Sequence, residues 1–303
     1  MNVARLPIAI AAVVAALFVT APPAAAADPW AQGTVRTVGK IIWETGDGRL
    51  GLCSGSVVDA PNGSVVATAA HCVSARESPR APGDVYFVPA YDHGRDSYRE
   101  DGWRVAAFHL PEEWDPNGET GAILPHDYAF LTLEPRDGVT VQQAQGANEL
   151  AFEPVRESGE VAVLGYPAAD PYDGESLRYC AGETNVLDEH EAEPVNLGGL
   201  LLDGCDLTAG SSGGPWLQDY DPATESGTVV AVMSVGSGDG QVVGRPFPED
   251  ARSLYAAAGA SGGGGDALAA SGGETLPASG GLAVPASGGT APPASGGAPV
   301  DAG

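Results

Sequence analysis

The sequence predicts an exported all-β domain of about 220 residues, flanked by two segments that stand outside its fold. Three observations carry this. Short apolar, β-branched runs recur along the body between turns of Gly, Pro and Asp, as in sandwiches and barrels. Helical periodicity is confined to one stretch near the end of the body. Four cysteines follow an apolar leader, and an even count in an exported chain points to disulfides.

Taken in order, Thr37 to Trp43 reads as a first strand, Gly46-Asp47-Gly48 as a turn and Leu50 to Val58 as a second strand. Pro61-Asn62-Gly63 is a hairpin signal, because Asn-Gly tolerates the positive φ of a tight turn. Ser64 to Ala69 returns as a third strand. Val85 to Pro89, Trp103 to His109, Ala129 to Leu133, Val161 to Gly165 and Val229 to Val235 read as further strands. Only Asp250 to Ala258 reads as helix.

The ends differ in kind from the body. Residues 1–27 open with one charge, Arg5, continue through an uncharged apolar run from Leu6 to Val19, and close on Pro22, Pro23 and Ala24 to Ala27 ahead of Asp28. That is the order of a secretory signal peptide. The run is shorter than the roughly 20 residues that span a bilayer, so no membrane attachment is expected after its removal. Residues 28–259 form the folded domain. Residues 260–303 repeat A-S-G-G, beginning at Ala260, Ala270, Ala278, Ala286 and Ala294. Such a segment has too few large apolar side chains to offset ordering entropy and is expected to be a disordered tail. Leu276 to Gly280 bears a faint likeness to a wall-sorting signal, without the apolar segment that should follow it.

With 14 basic and 40 acidic side chains, the formal net charge is −26. A general affinity for nucleic acid needs a basic face and is excluded. Cys53, Cys72, Cys180 and Cys205 allow three pairings, and none has the C-x-x-C spacing of a zinc site. No cofactor or metal is expected. Asp170 to Glu175 is acid-rich but has no calcium-loop spacing, so it reads as an exposed acidic turn.

Three motifs carry chemistry. Thr208-Ala-Gly-Ser-Ser-Gly-Gly-Pro-Trp216 places Ser212 among Gly210, Gly213 and Gly214, the setting of a serine whose hydroxyl is exposed on a tight turn. Val66 to Cys72 ends an apolar strand on His71. His126 to Leu133 puts Asp127 at the head of another. Acyl transfer to serine needs a base beside the hydroxyl, a partner that fixes the base's tautomer, and N–H donors aimed at the developing oxyanion.

Together, T-A-A-H-C, D-Y-A-F-L and G-S-S-G-G-P, in the order His, Asp, Ser over about residues 38–240, resemble the trypsin/chymotrypsin family of serine peptidases, especially the bacterial branch near the V8-like glutamyl endopeptidases. The resemblance implies two six-stranded antiparallel barrels with the active site between them, to which the residues themselves add a short C-terminal helix. It implies Ser212 as nucleophile, His71 as base and Asp127 as its orienting acid, with the N–H groups of Gly210 and Ser212 as oxyanion hole. It implies a Cys53–Cys72 bridge, leaving Cys180–Cys205 as the second. Protein or peptide substrates and a monomeric, secreted enzyme follow.

The sequence departs from the family in two places. Ser211 stands where digestive members carry an acid that pairs with a new N-terminus, so activation by that pair is not expected. In the specificity pocket, Asp206 falls at the base, where an acid selects Lys or Arg in some relatives and is structural in others. Leu207 and Met233 stand where glutamyl endopeptidases have Thr and His. Neutral or apolar P1 and basic P1 therefore rank level, with acidic P1 third. Ser234 to Gly236 is expected to pair with substrate backbone. The alternatives are a catalytically silent binding protein on the same fold and an esterase using the same triad. His93, His109, His126 and His190 read as structural, with His126 near the cleft rim.

Overall fold

The structure, a computed structural model, describes residues 27–45, 48–74, 84–118, 124–153, 158–188, 190, 196–236 and 240–261. The leader up to residue 26, the turn residues Gly46 and Asp47, and the tail from residue 262 lie outside the described residues.

After a two-residue strand β1 (Asp28–Pro29), the chain builds a closed barrel from β2 (Val38–Glu44), β3 (Leu50–Val58), β4 (Val65–Thr68), β5 (Val85–Pro89), β6 (Trp103–His109) and β7 (Ala129–Leu133). Its spatial order is β2-β3-β4-β7-β6-β5. The expected turn at Pro61-Asn62-Gly63 joins β3 to β4, with Gly63 at φ +64° and Asn62 Oδ1 accepting the Ser64 N–H at 3.0 Å. A second closed barrel follows a short strand β8 (Glu149–Leu150). It comprises β9 (Ser158–Gly165), β10 (Arg178–Val186), β11 (Leu200–Asp203), β12 (Pro215–Asp221), β13 (Ser226–Gly236) and β14 (Gln241–Pro246). β9 closes it by pairing with both β10 and β12. β1 adds to the edge of β10 and β8 runs parallel to β13.

Burial follows this layout. Ile41, Val57, Val66, Phe87 and Leu131 fill the first barrel, and Val163, Leu200, Trp216, Val230 and Val242 the second. A third cluster, including Val58, Tyr128, Phe130, Tyr166, Leu164 and Phe247, draws on both barrels. β7 is buried along its whole length, because Leu131 faces its own barrel and Phe130 faces the second. A strand covered on both faces reads as an unbroken apolar run, which is how Ala129 to Leu133 reads in the sequence.

The expected helix is present as Ala251–Ala260. It returns to the first barrel, where Ala258 O accepts from Thr132 Oγ1 at 3.0 Å and from Asn62 Nδ2 at 2.9 Å. Two short helices escape the sequence reading. Val141–Gln145 starts with a capping box between Thr140 and Gln143, a signal legible in T-x-x-Q. The other is the single turn Tyr98–Asp101. Among the described residues, the two-residue strands β1 and β8 and four strands of the second barrel also escape it. β10 has weak apolar alternation, β11 is four residues long, β12 begins at a proline and carries two acids, and β14 contains Gly244 and ends at Pro246. In each, barrel closure overrides local propensity.

Candidate active site

The first barrel supplies an acid and an imidazole at strand ends. β4 runs into a 3₁₀ turn, Ala70–Cys72, that carries His71. Asp127 sits between the turn Leu124–His126 and β7 and is fully buried. Its carboxylate accepts from the His71 backbone N–H at 3.0 Å and from His71 Nδ1 at 2.8 and 3.1 Å. Ser234 Oγ donates to Asp127 Oδ2 at 2.5 Å. A carboxylate bound this way places the proton on Nδ1 and leaves Nε2 as the basic nitrogen. Burial pushes the Asp127 pKa up, but the facing His71 and its hydrogen bonds, with that of Ser234, outweigh it and hold the acid below its ordinary value. Burial likewise pulls His71 down, and the charge and hydrogen bond of Asp127 reverse this to a net rise.

The second barrel supplies a loop, residues 208–214. Gly210 has φ +100°, and a Cβ there would lie 2.5 Å from Tyr166 O. At Gly213 a Cβ would lie 2.0 Å from Thr68 Oγ1 and 2.5 Å from Ser54 O, so only glycine lets this loop press against β3 and β4. Three amides of the loop are spent internally or on β13: Ser211 N on Thr208 O, Gly213 N on Met233 O and Gly214 N on Ser211 O. The alternate amides, Gly210 N and Ser212 N, have no acceptor among the described residues. Two N–H groups left without an acceptor on either side of one serine are the kind of donors an anion-binding concavity needs. The orientation of the first is fixed through its own peptide plane, since Ala209 O accepts from Ala168 N at 2.6 Å.

Ser54 of β3 holds this loop from across the groove. Its N–H donates to Ser212 O at 2.8 Å and its hydroxyl to Gly210 O at 2.9 Å, while its Oγ accepts from Tyr166 N at 2.9 Å. Ser54 adjoins Cys53, which is bridged to Cys72 beside His71. The backbone of Ser212 is thereby tied to the turn that carries the imidazole, and Cys72 Sγ lies 3.6 Å from Ser212 O. Among the described residues no hydrogen bond joins Ser212 Oγ to the imidazole.

The sequence profile of the trypsin-like peptidase domain matches residues 53–232. The chain belongs to the trypsin-like peptidase family. It is a serine endopeptidase, a hydrolase acting on proteins or peptides. Among solved structures, the protease Anisep from Arthrobacter nicotinovorans is 31% identical with a TM-score of 0.63, and the alignment covers 76% of this chain and 98% of that one. The thermostable serine protease AL20 from an extremophilic microorganism is also 31% identical, with a TM-score of 0.63 and coverage of 75% and 98%. A Glu endopeptidase, at 16% identity, TM-score 0.56 and coverage of 75% and 91%, shares the fold. No curated protein matches the sequence.

In this trypsin-like peptidase a cavity of about 940 Å³ adjoins Ser212. All five residues expected in the specificity pocket line it: Asp206, Leu207, Met233, Ser234 and Gly236. Asp206 is engaged on one oxygen, which accepts from Tyr172 Oη at 2.6 Å and from Ala27 N at 2.6 Å. Ser234 does more than flank the pocket. It falls at a bulge between Met233 and Val235 in the pairing of β13 with β14, and a bulge re-aims a side chain, here onto Asp127. Both expected disulfides, Cys53–Cys72 and Cys180–Cys205, are formed.

The exposed acidic turn is a correction in part. Glu175 is drawn inward, where it accepts from Tyr91 Oη at 2.6 Å and lies 3.5 Å from the buried Lys40 Nζ. Lys40 also donates to Gly174 O at 2.8 Å and sits over the Tyr91 ring. These contacts fasten the loop between β9 and β10 to the first barrel. Among the described residues, Cys53, His71 and Cys72 are close enough to suggest a metal, but both sulfurs are spent in the disulfide. Of the other histidines, His109 bonds Thr132 and His93 bonds Asp92. Sequence reading missed Ser54, Lys40 and Tyr172. The position of Ser54 beside Cys53 is the one signal that pointed to it.

Proposed function

We propose that the protein is exported and hydrolyses peptide bonds through Ser212, His71 and Asp127. Ser212 Oγ attacks the scissile carbonyl while His71 Nε2 takes its proton, and the tetrahedral oxyanion rests on the N–H groups of Gly210 and Ser212. His71 then returns the proton to the leaving amine, and an acyl-enzyme forms on Ser212. Water enters by the reverse exchange, with His71 again as base. Asp127 stabilises the imidazolium formed in each half.

The observation that carries this reading is the buried Asp127 carboxylate bound to both the backbone and the ring of His71. The unspent amides on either side of Ser211 support the oxyanion role. Ser234 to Gly236 borders the cavity as a strand end, as substrate pairing requires. Export rests on the leader of residues 1–27 and on the two disulfides. No helix among the described residues is long and apolar enough to cross a membrane.

Fluorophosphonate labelling tests the reading. Wild-type protein should label and cleave peptides, and Ser212→Ala should do neither. Undiminished labelling of Ser212→Ala would refute the assignment.

A further inference from the structure

The first described residue reaches the substrate cavity. Ala27 N lies 2.6 Å from Asp206 Oδ1 and 2.9 Å from Tyr172 Oη. The triangle closes with Tyr172 Oη 2.6 Å from the same carboxylate oxygen. A peptide N–H has one hydrogen to share between two acceptors. An ammonium has three, carries the charge for which Asp206 has no ion-pair partner among the described residues, and fits the triangle fully: it donates to both oxygens while the phenol donates to the carboxylate.

Chain downstream of Ala27 is docked in a way that fixes this placement. β1 pairs with β10, Asp28 opposite Tyr179 and Pro29 opposite Arg178. Trp30 N donates to Leu177 O at 3.2 Å, and the Trp30 ring stands edge-on to Tyr179 at 5.0 Å and Tyr220 at 5.3 Å. Upstream, Ala24-Ala25-Ala26 supplies the small residues of an A-x-A cleavage site ending one residue before Ala27.

We propose that the leader is cut between Ala26 and Ala27, one residue earlier than residues 1–27 imply, and that the α-ammonium released at Ala27 neutralises Asp206 in the cavity wall, so that the pocket accepts uncharged P1 side chains. The proposal rests on Ser212 being the nucleophile of that same cavity. Its consequence is a choice between the two preferences the sequence leaves level. Unpaired, Asp206 would favour Lys or Arg. Paired with the chain's own terminus, it leaves Leu207 and Met233 to set the pocket's character. The ammonium's partner is Asp206 and not residue 211, where a serine with an unbonded, buried hydroxyl stands.

The full-length precursor is expressed with export, and the product's N-terminus is read by sequencing and intact mass. Ala27 as first residue is expected, and Asp28 or any other start overturns the proposal. Chains freed from a removable tag to begin at Ala27 or at Asp28 are then titrated with a fluorophosphonate and assayed on peptides differing only in Leu or Arg at P1. The Leu-over-Arg preference of the Ala27 chain should exceed that of the Asp28 chain by about tenfold or more, and equal preferences overturn the proposal. Asp206→Asn on the Ala27 chain provides a second measurement. With its ammonium unpaired, use of P1 Glu relative to Leu should rise about tenfold, and an unchanged profile counts against the pairing. Absence of labelling in every chain would refute the Ser212 reading itself. Labelling together with a P1 preference that does not depend on the terminus would refute only this proposal.

Discussion

The two barrels have the same number of strands but hold their contributions to the groove differently. The first presents His71 and Asp127 at strand ends, where ladder hydrogen bonds and a disulfide fix the backbone. The second presents Ser212 on a loop whose fixed points lie largely elsewhere. Ser54 of β3 holds Ser212 O and Gly210 O, and the loop that supplies Ala168 is fastened by Lys40 of β2. The Ser212 loop of one barrel is thus positioned by residues of the other. Damage to the first barrel should therefore register at a loop it does not contain.

The largest expected effect lies within the first barrel. Asp127→Asn should lower kcat by about 10⁴-fold, because the amide favours the wrong imidazole tautomer. A loss below tenfold in peptide hydrolysis would remove the proton-fixing role. Ser54→Ala sharpens the comparison most directly. It deletes the hydroxyl that bonds Gly210 O and Tyr166 N, and kcat should fall roughly tenfold to a hundredfold with KM little changed. Slower fluorophosphonate labelling should accompany it. A loss of stability with intact kcat would show that Ser54 serves packing alone. Lys40→Met leaves Glu175 without its buried cation and should destabilise the protein by about 3 kcal/mol, read as a fall in Tm of about 6–12 °C. The pH profile should move least. In the proposed mechanism His71 must be neutral to take the Ser212 proton, and Asp127 raises its pKa above the ordinary 6.5. The acid limb of kcat/KM should therefore have its midpoint above 6.5. Asp127 is held low and stays ionised through that limb. The stability it contributes is present above its ordinary 3.8 and is lost only as pH falls through its lowered folded value.

The same contrast governs how much could be read from the sequence. In the first barrel every strand was legible, and β3, β5, β6 and β7 have the limits that apolar runs and turns predict. These strands alternate or are buried on both faces, so pattern and structure agree. In the second barrel only β9 and β13 were legible. Arg178–Val186 has alternate residues facing solvent without strong apolar partners, and β12 opens on Pro215, which its position at the strand start tolerates. The candidate triad was visible because His71 and Asp127 end or begin an apolar strand and Ser212 sits in a glycine-flanked turn. Ser54 and Lys40 were not, because each acts through neighbours more than a hundred residues away in the chain: Gly210 for the first, Gly174 for the second. Nothing local marks a serine or lysine inside a strand for such a task. Ser234 was expected to border the pocket, and only the bulge beside it turns its hydroxyl to Asp127.

The helix Ala251–Ala260 begins after the last strand of the second barrel and ends against the first, with Tyr255 beside Phe130 and Ser261 O accepting from Asn62 Nδ2. The last described stretch of the chain thus belongs to its opening half, like a buckle closed over a belt. A nick in the connection between the barrels, by this peptidase or another, would leave the two pieces clasped together, and the groove between them would keep its shape.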